Sequence, residues 1–210
     1  MSPFGEVAAP GGLGGAAGPS GDRPEAPRRH LSARQADLVD RLVMAAAEEV
    51  EEGDYDSITV RSIARRAGVS AASAYTYFSS KDHLLAEVLW RRMQGLPTPL
   101  VDLHRPAADR VADAVDQLGF GTVDSPAVVA ACTTALLSNS PDVKRIRERI
   151  GGEIHRRLHA ALGPDADPVV LRVLETTYIG AMLSAGLGHL EFAELPDRLR
   201  EAAGLMTGAR

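Results

Sequence analysis

Apolar positions along the chain recur with helical spacing. Leu38, Val39, Leu42, Val43, Ala46, Ala47 and Val50 fall three and four residues apart, on one helical face. This predicts a helix from about Leu31, capped by Ser32. It ends at Gly53, a residue able to take the left-handed conformation that often closes a helix. Thr59 then caps a short helix, Val60 to Ala67, broken by Gly68, and Ser70 caps another, about Ala71 to Phe78. Ser80 opens a fourth, Lys81 to about Met93, with Leu84, Leu85, Val88 and Leu89 turned inward and Gly95, Pro97 and Pro99 as its stop. Five more helices are expected near 105–118, 125–138, 141–162, 167–188 and 195–206, punctuated by Gly119, Gly121, Pro126, Pro141, Gly163, Pro164, Pro168, Gly188 and Pro196. No run alternates with a period of two. The expected fold class is all-α, about nine helices.

Composition sharpens the boundaries. Residues 1–30 hold 7 of the 20 glycines and 5 of the 13 prolines, too little apolar surface to offset the entropy of ordering, so this segment is expected to be disordered. It ends in the basic Arg28, Arg29 and His30, with Arg34 just beyond; a basic arm entering a minor groove and a solvated tail both suit it. Residues 31–80 form a three-helix unit and 81–210 a larger helical domain. The single cysteine, Cys132, forbids an intrachain disulfide and suits a reducing compartment. No stretch approaches about 18 uninterrupted apolar residues, and glycine and proline interrupt any leader-like start, so a cytoplasmic protein without a membrane partner is expected.

The net charge of −5 does not announce a polyanionic partner, so any such site must concentrate positive charge locally. The stretch from Thr59 to Phe78 does so. Two helices joined by a few residues cross steeply, which needs a small residue at the crossing and a glycine in the turn, and Ala64 and Gly68 meet both demands. Ile63, Ala67, Val69 and Ala74 supply the apolar contacts between them. Between Ser57 and Lys81 lie four basic residues, Arg61, Arg65, Arg66 and Lys81, and no acidic one. That suits a helix-turn-helix whose second helix enters a major groove.

The run Ile63-Ala64, Ala67-Gly68-Val69-Ser70, Tyr75, Tyr77-Phe78-Ser79-Ser80-Lys81 and Leu84-Leu85, preceded by Tyr55-Asp56-Ser57-Ile58-Thr59-Val60, resembles the TetR family of tetracycline-repressor-like bacterial regulators. The likeness covers about residues 35–90. It implies that Thr59, Arg61, Ser70, Ala71, Ala72, Ser73, Tyr75, Thr76, Tyr77 and Lys81 face DNA. Thr59, Lys81 and the tyrosine hydroxyls would position the protein, and Arg61, Ser73 and Thr76 would read bases. The family usually has Gly-Thr-Leu-Tyr where this chain has Ala72-Ser73-Ala74-Tyr75, which keeps a hydroxyl but shrinks the inward contact at Ala74 and leaves the second helix slightly under-packed. Phe78 is assigned to the core.

The resemblance further implies a repressor that binds a palindromic operator as a homodimer, through its last two long helices, and leaves it when a small-molecule effector binds. The stretch from Pro168 to Gly188 is apolar or small nearly all round, as a helix buried on more than one side must be. Trp90, Met93, Cys132, Leu136, Tyr178 and Met182 are the candidate effector contacts, and an apolar or weakly polar effector suits them. His155 and His159 have a two-histidine metal spacing, but no third ligand accompanies them; neither metal nor cofactor is expected. Lys144, Arg145, Arg147 and Arg149, with Asp142 and Glu148, make a solvated charged face. A helical protein-interaction module and an enzyme with an unmarked pocket are the rival readings. Against the second, no Gly-x-Ser-x-Gly, phosphate loop or His-Glu-x-x-His is present.

Overall fold

A computed structural model describes residues 33–118 and 125–208. The expectations for residues 1–30, for Leu31 and Ser32, and for Gly119 and Gly121 lie outside the described residues. Among those described there are nine α-helices, two short 3-10 turns and no strand. The helices are α1 (Ala33–Glu52), α2 (Val60–Arg66), α3 (Ala71–Tyr77), α4 (Lys81–Gln94), α5 (Ala107–Gln117), α6 (Pro126–Ala135), α7 (Pro141–Leu162), α8 (Pro168–Gly186) and α9 (Leu195–Thr207).

Caps set most of the starts. Thr59 Oγ1 accepts from Ser62 N at 3.0 Å while Ser62 Oγ accepts from Thr59 N at 3.1 Å, a reciprocal pair that satisfies two otherwise orphaned donors of α2. The helices α6, α7 and α8 each begin with a side-chain cap followed directly by proline: Ser125-Pro126, Ser140-Pro141 and Asp167-Pro168. Proline suits that position because its missing N–H has no helical partner to lose.

Helix ends depart from expectation in two places. Gly53 closes α1 without a left-handed φ. The chain turns instead through Tyr55–Ser57, where the Ser57 N–H and hydroxyl both donate to Asp54 O and Ile58 is buried as an anchor. The helix α6 stops at Ala135, three residues early. Arg147 NH1 draws the Leu136 and Ser138 carbonyls out of the helix at 2.6 and 3.2 Å.

The core is one continuous cluster, mostly of buried aliphatic side chains and alanines, with Phe78, Tyr178, Cys132, Met93 and Met182 among them. On α1 it takes Val39, Leu42, Ala45, Ala46 and Val50; on α4 it takes Leu84, Leu85, Ala86, Val88, Leu89 and Met93. The central α4 packs against α1, α6 and α7, and α5 lies along α9. Phe78 is buried, edge-on to His83, as assigned. Thus α4 belongs to the core of the N-terminal motif at one end and to the bundle at the other.

Candidate nucleic-acid interface

The turn between α2 and α3 forms because Gly68 takes φ +66°, where a side chain is disfavoured. Val69 N then donates to Ala64 O at 2.9 Å and Gly68 N to Arg65 O at 3.2 Å, the paired bonds of a Schellman close. Ile63, Ala64 and Ala74 are fully buried at the crossing, with Ala67 and Val69 partly buried beside them. Ala74 is the one buried residue of α3 and has no exposed surface at all.

The rest of α3 therefore points outward. Tyr75 is 48% exposed, Ala72 and Thr76 are exposed one turn apart, and Ser70 is exposed at the cap. Ala71, Ser73 and Tyr77 are half-buried on the flanks. Local hydrogen bonds determine what each hydroxyl has left to offer. Thr59 Oγ1 accepts in its cap and keeps its proton, so it can donate to a phosphate oxygen. Ser70 Oγ accepts from Ser73 N and lies 2.8 Å from Ser73 Oγ, so one proton is shared between them. Thr76 Oγ1 already donates to Ala72 O at 3.1 Å and is left as an acceptor.

The charge of the motif is more unequal than its composition suggests. Arg66 is held by Glu49 at 2.5 Å, by both oxygens of Glu52, and by Glu48 at 3.9 Å. Those carboxylates neutralise it, so it does not contribute to a positive surface. Lys81 Nζ is drawn back onto Tyr55, donating to its carbonyl at 2.7 Å and lying 4.0 Å from its ring centroid. Arg61 and Arg65 are exposed and, among the described residues, carry no ion pair. Of the four cations counted in the sequence, these two remain uncommitted, one at each end of α2.

Three contacts escaped the sequence reading. Tyr55 Oη donates to Asp82 Oδ1 at 2.6 Å and ties the turn after α1 to the start of α4; burial, and then the Asp82 carboxylate, push that phenol up. Ser79 Oγ donates to Asp142 Oδ2 at 2.6 Å, joining the α3–α4 turn to the first turn of α7, and this bond holds the Asp142 carboxyl below its usual range. His83 stands beside them, its Nδ1 accepting from Ser79 N at 3.3 Å and lying 3.9 Å from Asp142; burial lowers its pKa. No spacing rule links residues 63 positions apart.

Two of the cavities among the described residues take in five of the six candidate effector contacts. One, of about 160 Å³, is lined mainly by apolar groups of α4, α7 and α8, among them Tyr178 and Met182, with Thr133 of α6 and Leu136 just beyond that helix. The other, of about 280 Å³, lies where the end of α4, the segment 96–99 and α7 meet, and takes in Trp90 and Met93. Cys132 is fully buried and lines neither; burial raises its thiol to about 12. Sequence reasoning missed Glu153 and Arg157, which are 7% and 3% exposed and pair at 2.7 Å beside the second cavity. The solvated face around Lys144 and Arg145 is as expected, with Lys144–Glu148 at 4.0 Å and Arg145 paired to Asp142. His155 and His159 stack at 6.1 Å, with His155 bound to Glu175 at 2.6 Å.

In α8, Leu171, Leu174, Tyr178, Met182 and Ala185 are buried, whereas Val169, Val173, Thr176 and Gly180 form a stripe on the opposite, exposed face. By length and composition alone this helix, of mean hydropathy 1.2, is long and apolar enough to cross a membrane, but Arg172 and Glu175 interrupt it, so it is not a run of about 18 uninterrupted apolar residues.

Comparison with known proteins points one way. Residues 42–88 match the family model described as bacterial regulatory proteins, tetR family. Over 175 residues the chain is 41% identical to an uncharacterized HTH-type transcriptional regulator of Mycobacterium tuberculosis, covering 82% of each chain. It is 33% identical over 177 residues to the HTH-type transcriptional repressor KstR of Mycolicibacterium smegmatis, covering 80% of this chain and 86% of that one. Among solved structures, a TetR transcriptional regulator from Rhodococcus sp. RHA1 superposes with a TM-score of 0.66 at 21% identity, over 85% of this chain and 99% of that one.

Proposed function

The chain belongs to the TetR family of transcriptional regulators, a non-enzymatic class, and from that premise we propose that it is a cytoplasmic repressor. It binds a palindromic operator as a homodimer and leaves it when a small molecule enters the bundle. Residues 31–80 form the DNA-binding unit and 81–210 the effector-binding and dimerising unit. The carrying observation is the outer face of α3, with Tyr75, Ala72 and Thr76 turned to solvent, next in the motif to α2 with its uncommitted cations Arg61 and Arg65. A convex helix with hydroxyls and little bulk, preceded by a helix with free guanidiniums, suits a major groove.

Roles follow from what each group has left to give. Arg61 and Tyr75 reach base edges or phosphate, Thr76 accepts from a base amine, and Thr59 donates to the backbone. Ser70, Ala71, Ala72 and Ser73 allow close approach, and Tyr77 braces the helix from its flank. Lys81 joins the phosphate contacts only by leaving Tyr55.

The exposed apolar stripe of α8 supports pairing with a second copy, because a two-fold axis along it covers the same face of both chains. Operator half-sites then lie about 34–36 Å apart, one per recognition helix. Effector binding favours a conformer in which that spacing is wrong. Both cavities touch α4 and α7, and both helices end at the motif, at Lys81 and at Asp142. The test is a mobility-shift titration with the promoter beside the gene. Wild type should retard it, and a Tyr75→Ala, Arg61→Ala double variant should not; normal binding by the double variant refutes the placement of α3 in the groove.

A further inference from the structure

We propose that the second cavity is an anion site, taking a small molecule whose carboxylate faces Arg157 and whose apolar body lies along Trp90 and Met93. As the effector site it rests on the reading above; as a binding site it does not. Arg157 is nearly sealed, and its donors are unevenly used. Nε meets Glu153 at 2.7 Å and NH2 meets the Pro97 carbonyl at 3.0 Å, while NH1 is buried without an acceptor among the described residues. Native proteins rarely leave a buried donor unmet, and a buried guanidinium is a costly place to do so.

The local charge is also unbalanced. Both oxygens of Glu153 are taken, one by Arg157 and the other by Arg156 at the cavity rim. Two guanidiniums against one carboxylate leave one positive charge at the wall. A pair serving stability alone would be matched one to one, or replaced by packed apolar groups at little cost. An incoming carboxylate supplies both the missing acceptor, after a turn of the guanidinium, and the missing counter-charge. Arginine's planar fork suits carboxylate geometry. Beside it Trp90 and Met93 offer an apolar wall, so the ligand is amphipathic rather than an inorganic ion.

Trp90 is the only tryptophan in the chain and lines this cavity, so its fluorescence reports on binding there. The full chain is titrated at pH 7 with octanoate and 3-phenylpropionate, with their methyl esters, and with inorganic phosphate. At least one acid should give a saturable change, about tenfold or more tighter than its ester, and phosphate should not compete. Arg157→Gln should weaken that acid by about tenfold or more, and Glu153→Gln, which removes the competing carboxylate, should tighten it. If Arg157→Gln does not fold, Glu153→Gln and Arg156→Gln decide. Esters that bind as well as acids, phosphate that competes, a Glu153→Gln variant that binds no tighter, or no saturable response to either acid would each overturn the proposal. No DNA enters this measurement. An acid that binds here yet leaves operator retardation unchanged keeps the anion site and removes only its effector role.

Discussion

Two helices of this protein turn an unburied face to solvent, and the faces differ. The seven-residue α3 is anchored by Ala74 alone and shows hydroxyls, small side chains and Tyr75. The nineteen-residue α8 is anchored by five residues yet shows valines, with Val173 45% exposed and Ile179 54% exposed at the stripe's edge. A face is complementary to whatever covers it. Hydroxyls on a helix that follows one carrying free guanidiniums suit a hydrated polyanion that exchanges partners, and an apolar stripe suits another apolar stripe that stays.

The largest expected effect comes from breaking the α8 side of this contrast. Val173→Glu places a charge in the stripe without touching the buried face. The dimer should dissociate in analytical ultracentrifugation, and operator affinity should fall by about 10²- to 10⁴-fold as the second half-site stops being tethered. A dimer that survives would move the interface off α8.

Tyr75→Ala tests the other side. It should cost about 1–3 kcal/mol of operator binding if Tyr75 reads a base, with sedimentation unchanged. Smaller again is Arg65→Ala, which removes one phosphate neutralisation. The slope of log K against log salt should become shallower by about 0.9, with sequence preference intact. The same change at Arg66 should leave the slope alone, because its charge is already met by Glu49 and Glu52. Equal slopes for the two variants would undo the distinction between free and committed cations.

That distinction marks where the sequence was legible. Caps, the glycine turn and the apolar spacing around Ala64 and Ala74 are local, so α2 and α3 could be placed to within a residue, and α7 was placed to the residue. What Arg66 and Lys81 do depends on carboxylates and a tyrosine from another helix or turn, so counting charge along the chain overstated the positive surface. The candidate effector contacts were not all brought to one place. Leu136, Tyr178 and Met182 share one cavity, Trp90 and Met93 another, because helix periodicity gives a face but not the neighbour opposite it. Glu153 and Arg157 hid for the same reason, since charged residues four apart look like a solvated pair until α4 covers them.

The smallest effect probes the place where the two regions meet. Ser79, His83 and Asp142 join the α3–α4 turn to α7, and His83 takes part as a neutral ring, since its Nδ1 accepts from Ser79 N. Burial lowers its pKa from 6.5, against the pull of Asp142 and Glu87 and with the help of Arg145. As pH falls through 6.5 the unfolded chain takes up this proton before the folded one does. Stability that is complete above 6.5 is therefore lost progressively until the folded pKa is passed. Asp142 stays ionised throughout, because its own pKa is lowered from 3.8. The melting temperature should thus decline below pH 6.5 in wild type and decline less in His83→Gln. Asp142→Asn removes the charge that favours the imidazolium, so His83 should fall further and the decline should extend to lower pH. A His83→Gln profile superimposable on wild type would show that the imidazole carries no proton-linked strain at this junction, leaving the Ser79–Asp142 bond as its polar link between the α3–α4 turn and α7.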